Sequence, residues 1–188
     1  MTNLASLHDL FIEQLQDLYD AEHRLIEALP KMADAAQDEN LSKAFRDHLK
    51  ETTGHIDRLE KAFRSIGEEP KRKTCAGIKG LIAEGEEFVK GKHMKHPVQD
   101  AGLIAAAQRV EHYEIAGYGC VLSYAQSMGH DVAAKLLEQT LHEEKNADAL
   151  LSGIAENDVN PAAQDLNEDE NMRTGATKSS YRIAGART

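Results

Sequence analysis

Residues 11–29 read FIEQLQDLYDAEHRLIEAL, and this stretch decides the fold. Phe11, Leu15, Leu18, Leu25 and Leu29 recur at steps of three, four and seven, which places them on one face of a helix. The stripe has one gap, and Glu22 fills it. An ionised carboxylate in line with a buried stripe needs a compensating charge or a metal ion. Outward from here the periodicity spans about Asn3 to Asp38 and passes through Pro30, which is expected to bend the helix or open one hydrogen bond.

The rest of the chain repeats this kind of pattern. Leu41 to Ile66 carries Leu41, Phe45, Leu49, Ile56, Leu59, Phe63 and Ile66, with Gly67 and Pro70 as stop signals. Cys75 to Lys92 reads as a shorter helix containing Gly77, Gly80 and Gly85, and His93 to Pro97 as a loop. Val98 to Met128 is a third long segment. Its Gly117 and Gly119 point to a closely approaching neighbour, since glycine otherwise weakens a helix interior. Val132 to about Asn157 is the fourth, with Asp131 as its expected N-cap. Strand-like alternation is absent from the sequence, so the expected fold is all-α, a helical bundle over residues 1–158. Residues 159–188 are polar, and 161–188 hold only Leu166 and Ile183 among Leu, Ile, Val and Phe, so a mobile tail is expected there.

Composition narrows the function. Lys plus Arg total 22 against 32 Asp plus Glu, a net charge of −10, which argues against a nucleic-acid groove binder. Apolar runs of about 18 residues are missing, so no membrane span is expected. The N-terminal residues show no basic segment followed by an apolar block, and Cys75 and Cys120 form no disulfide framework; both fit a cytoplasmic protein. Nine histidines beside many carboxylates in a helix-forming chain are the raw material of iron, manganese or zinc sites.

Their spacing is organised. A shift of 92 to 93 positions superposes the two halves, bringing Glu22 onto Glu114, Glu51 onto Glu144 and His55 onto Asp148. Glu114 interrupts the stripe Ala107, Val110, Gly117, Val121, and Glu144 with Asp148 lies among Leu137, Leu141, Ala147 and Leu151. A four-residue step turns a helix by only about 40°, so Glu51 and His55 share a face, as do Glu144 and Asp148. Glu111 neighbours Glu114 three residues away. Dinuclear carboxylate bundles take a Glu from each of two helices and a Glu-x-x-His pair from each of the other two. Here Glu22 and Glu114 are the single candidates, and Glu51/His55 and Glu144/Asp148 the pairs. The pairs are spaced by four rather than three, and the second ends in Asp. A helix bulge, His48 as an alternative ligand, or a site for one metal would each accommodate that.

The runs Asp17-Leu-Tyr-Asp-Ala-Glu22, His48-Leu-Lys-Glu51-Thr52 with His55, Val110-Glu-His-Tyr-Glu-Ile-Ala116 and Glu143-Glu144 with Asp148 resemble the YciE/YciF-type stress proteins over about Leu4 to Ile154. The resemblance implies a ferritin-like bundle of four long helices and a short one, commonly dimeric, in a bacterial stress response. It also implies a rubrerythrin-like dinuclear site mapping to Glu22, Glu51, His55, Glu111, Glu114, Glu144 and Asp148. Two iron ions, or manganese or zinc, reacting with hydrogen peroxide or oxygen form the leading expectation, as in a di-iron oxidase or peroxidase. The alternative is a non-enzymatic structural or interaction stress protein whose acidic core is metal-free or binds metal only for stability. Tyr19 and Tyr118 are candidate donors to the ligands, whereas His23 and His112 project about 100° from them and are expected at the surface.

Overall fold

The computed structural model describes residues 4–166 of the chain. Five helices follow in order: α1 (Leu7–Ala35), α2 (Glu39–Ser65), α3 (Ala76–Lys90), α4 (His96–Ser127) and α5 (Asp131–Ile154). Residues 36–38 join α1 to α2, and residues 128–130 join α4 to α5. Links this short return each helix beside its predecessor. The two hairpins pack together through α2 against α5 and α1 against α4, while α3, inside the long α2–α4 connection, lies over α1 and α4. The all-α bundle with one additional short helix expected from periodicity is the observed architecture.

Helix ends follow local chemistry. The Ser6 hydroxyl accepts from the Asp9 N–H, and the Asp38 carboxylate accepts from Leu41, each satisfying a free donor of a first turn. Gly91 closes α3 at φ 56°, a left-handed conformation that suits glycine. Two expectations change here. The residue before α5 is His130, which makes no side-chain cap, and Asp131 is the first helical residue, its charge set against the positive helix end. His96 and Pro97 belong to the first turn of α4 rather than to a loop, because proline lacks only an N–H that this turn leaves unpaired anyway. Helix α1 is continuous through Pro30.

Buried aspartates fasten the connections. Asp100 on α4 accepts from the Gln37 and Asp38 N–H groups at 2.9 Å each, fixing the α1–α2 turn. Asp20 accepts from the Cys75 N–H at 2.8 Å and from Arg72 at 2.9 Å, fixing the start of α3. Burial alone would raise the Asp20 carboxyl, but these donors and Arg24 hold it below its ordinary pKa. Gly117 admits α1: a Cβ there would sit 2.8 Å from Leu18 Cδ2. Gly119 has nothing within 4 Å, so close approach explains only the first of the pair.

Residues 155–159 form a π turn in which the Asn160 N–H bonds to the Ala155 carbonyl, and residues 160–166 are again helical. The stretch expected to be a tail is therefore helical through 166, and residues 167–188 lie outside the described residues.

The apolar interior falls into two clusters. One contains Leu25, Leu29, Phe45, Ile78, Val110 and Leu151, and the other Phe11, Leu15, Leu18, Leu59, Tyr118 and Leu137. Every long helix brings buried polar residues to the level where the two clusters meet: Glu22 on α1, His48, Thr52 and His55 on α2, Glu111 and Glu114 on α4, and Glu144 on α5. A polar layer thus crosses the bundle between two apolar ones.

Candidate metal centre

The layer forms because each helix turns the same face inward along its whole length. On α2 the buried stripe Phe45, His48, Thr52, His55, Leu59 alternates steps of three and four, so the histidines enter with the core. On α5 the stripe Leu137, Thr140, Glu144, Ala147, Leu151 does the same for Glu144. Two groups of ligand-type atoms result, each with all atoms within 4.8 Å of one another: His48, Glu111, Glu114 and Glu144, and then Glu22, His55 and Glu144. Glu144 belongs to both. Its Oε2 lies 3.6 Å from His48 Nε2, and its Oε1 lies 2.9 Å from His55 Nδ1. Glu111 Oε1 is 3.5 Å from His48 Nε2, and Glu22 Oε1 is 3.3 Å from His55 Nδ1.

The electrostatics are severe. Glu22, Glu114, Glu144 and His55 are fully buried. Burial, with neighbouring carboxylates adding to it, raises Glu111, Glu114 and Glu144 above the ordinary carboxylate range. Burial would lower His55, but Glu22 and Glu144 outweigh it and hold the imidazole up at about 11. Both oxygens of Glu114 and of Glu144, one each of Glu22 and Glu111, and a nitrogen each of His48 and His55 are buried without a well-aligned hydrogen bond, His55 Nδ1 and Glu144 Oε1 meeting only as a close ion pair. Native interiors satisfy nearly all such atoms, so eight in one layer call for a ligand. The donor set of carboxylate oxygens and imidazole suits iron, manganese or zinc. The four carboxylates, once ionised, carry negative charge that bound divalent ions would offset.

Surrounding groups aim the ligands. Glu143 sits beside His55 with Oε2 3.1 Å from Nε2, leaving Nδ1 to face Glu22 and Glu144. Arg58 donates to Glu143 and, through Nε, to the Thr140 hydroxyl at 2.8 Å. Burial would raise Glu143, but Gln139 and Arg58 hold it below its ordinary range, ionised and ready to accept. The buried Tyr118 hydroxyl donates to Glu22, the role expected for it, while Tyr19 donates to Glu60 instead.

Of the residues expected from spacing, the structure brings together Glu22, His55, Glu111, Glu114 and Glu144. His48, the alternative ligand, joins them. Glu51 and Asp148 stand beside the groups. The Glu51 side chain is 47% exposed and meets His48 Nδ1 at 3.2 Å. Asp148 faces Gln108 and His112 at 3.3 and 3.4 Å. The reason is helical phase. The inward positions are Thr52 and His55, and Glu144 and Ala147, three residues apart as in Glu-x-x-His, with Glu51 and Asp148 each about 100° away on the flank. Thr52 and Ala147 thus occupy places where that pattern has a Glu and a His, and the Thr52 hydroxyl is used by the His48 carbonyl at 2.9 Å. Glu143 and Arg58 were not legible as participants, because one-helix periodicity gives no contact between α2 and α5.

A family profile described as a domain of unknown function (DUF892) matches residues 6–164. The chain belongs to this family. It is 45% identical over 163 residues to the protein YciF of Escherichia coli K12, covering 86% of this chain and 98% of that one. The crystal structure of the E. coli stress protein YciF superposes with a TM-score of 0.79 at 46% identity, over 83% of this chain and 98% of the other. The YcfI protein of Rhodopseudomonas palustris superposes at 0.77 with 39% identity, over 80% and 96% of the two chains. The resemblance read from the motifs is therefore a family membership, and the fold is the ferritin-like bundle of that family. Among the described residues no helix is long and apolar enough to cross a membrane.

Proposed function

We propose that the chain is a stress-response protein that binds two iron ions in the polar layer and reacts there with hydrogen peroxide or oxygen. The observation that carries this reading is the set of eight buried carboxylate and imidazole atoms, contributed by four helices, that make no well-aligned hydrogen bond. Two ferrous ions would supply the two electrons that break the O–O bond of hydrogen peroxide, with two protons taken up to give two waters. The protein's own part is positional. Glu144 offers one oxygen to each group, and His48 and His55 each bring an imidazole to one of them. Glu143 fixes the His55 ring, and Tyr118 holds one Glu22 oxygen so that the other is free. The apolar clusters on either side keep bulk water out and strengthen the field between ligands and ions. Anaerobic titration with ferrous iron should saturate at about two ions per chain, and about one hydrogen peroxide should then be consumed per pair. Saturation below one ion per chain would sink the proposal.

One observation favours a second reading, a structural protein that holds no metal. With His55 protonated, and Glu111 and Glu114 protonated as their raised pKa directions favour, most of the buried charge is already cancelled. The Glu144→Gln variant separates the two. Loss of iron binding with little change in Tm supports the metal reading, and a large fall in Tm of the metal-free protein supports the structural one.

A further inference from the structure

A cavity of about 100 Å³ lies between α2 and α5 and ends on the layer. Its floor is His48 and Glu111, its walls include Phe45 and Leu151, and Ala147 forms part of its lining. His48 Nε2 and Glu111 Oε2 are buried atoms without a hydrogen-bond partner, on residues only 6% and 3% exposed. Ala147 is three residues beyond Glu144, where a Glu-x-x-His helix would place an imidazole. A methyl group there leaves room that an imidazole would fill.

We propose that this cleft is the entrance through which a small, uncharged oxidant of the size of hydrogen peroxide reaches the His48 side of the layer, with Ala147 as the residue that sets the size limit. The proposal rests on the metal-centre reading above. Size supports it, since about 100 Å³ is room for roughly three waters and so for one hydrogen peroxide. Charge supports it too. Asp47 and Glu51 line the cavity and disfavour an anion.

The test uses the full chain loaded anaerobically with ferrous iron, with iron content measured before hydrogen peroxide or cumene hydroperoxide is mixed in. Ala147→Leu should keep the native iron content and slow oxidation by hydrogen peroxide about tenfold or more. Ala147→Gly should raise the rate with cumene hydroperoxide relative to that with hydrogen peroxide. Because Ala147→Leu could disturb packing, Leu150→Trp provides a second obstruction. Leu150 also lines the cavity and is 52% exposed, so the larger ring narrows the mouth without entering the core. If Ala147→Leu loses iron, slowing by Leu150→Trp at native iron content supports the proposal and an unchanged rate overturns it. Native rates in both iron-loaded obstructed variants overturn the entrance alone. A native protein that binds no iron overturns the metal-centre reading, and the entrance falls with it.

Discussion

Glu143 and Glu144 are consecutive and do different work. Glu144 is fully buried and faces both groups of ligand atoms, whereas the Glu143 side chain is 24% exposed and reaches the far nitrogen of His55. A carboxylate on the distal nitrogen of a ligating imidazole fixes its tautomer and raises its basicity. Glu143→Gln keeps the shape and removes the charge. Iron affinity should fall by about 10- to 100-fold, as measured by competition with a chelator, while the metal-free Tm changes little. At this scale the sequence was informative where a carboxylate interrupted an apolar stripe, as Glu22, Glu114 and Glu144 do. It misled on α2, where the reading favoured Glu51 for its chemistry although Thr52, one residue on, has the inward phase. Threonine gives no sign that it marks a ligand position.

The helices themselves were legible because each long one carries an apolar stripe over many turns, so their existence and approximate ends followed from spacing and stop residues. Contacts between helices were less so. Gly117 and Gly119 look alike in sequence, yet only Gly117 faces a neighbour across the α1–α4 contact. The two should respond oppositely to alanine. Gly117→Ala drives a methyl group against the buried Leu18 and should cost about 1–2 kcal/mol after the gain in helix propensity. Gly119→Ala meets open space and should stabilise by about 0.5–1 kcal/mol. Thermal melts of the two variants at one pH give the comparison directly.

For the molecule as a whole, the polar layer makes stability depend on pH. Glu111, Glu114 and Glu144 have folded pKa values above the ordinary one, so above about pH 4.5 the native state binds more protons than the unfolded chain and stability falls as pH rises. His55, held up at about 11, acts in the same direction: its contribution is full below about 6.5 and is lost as pH rises towards its folded value. The metal-free protein should therefore melt lower at about pH 8.5 than at about pH 6. Two divalent ions take the place of the protons, so ferrous iron or manganese should bind more tightly at the higher pH and release protons on binding. At a hundredfold excess over Kd, one ion adds about 2.7 kcal/mol, and at fixed free metal that addition grows as Kd falls with rising pH, opposing the metal-free slope. Calorimetry with and without metal at both pH values would show the metal-bound Tm standing further above the metal-free one at the higher pH, and parallel curves would refute the assignment.

Sequence by itself determined what depends on the period of one helix: the all-α class, four long helices and a short one, and carboxylates at Glu22, Glu114 and Glu144 set into apolar stripes. Family membership was legible for a related reason, since the motifs sit in fixed order along those helices. Tertiary structure alone decided which flank of each stripe meets its neighbour. That choice put His48 into the layer, left Glu51 and Asp148 beside it, brought Glu143 and Arg58 across to His55, and opened the cleft over Ala147. The reason is angular. One residue is a step of about 100° on a helix, and apolar periodicity defines a face broader than that step. Only packing against a second helix selects the positions within the face whose atoms converge.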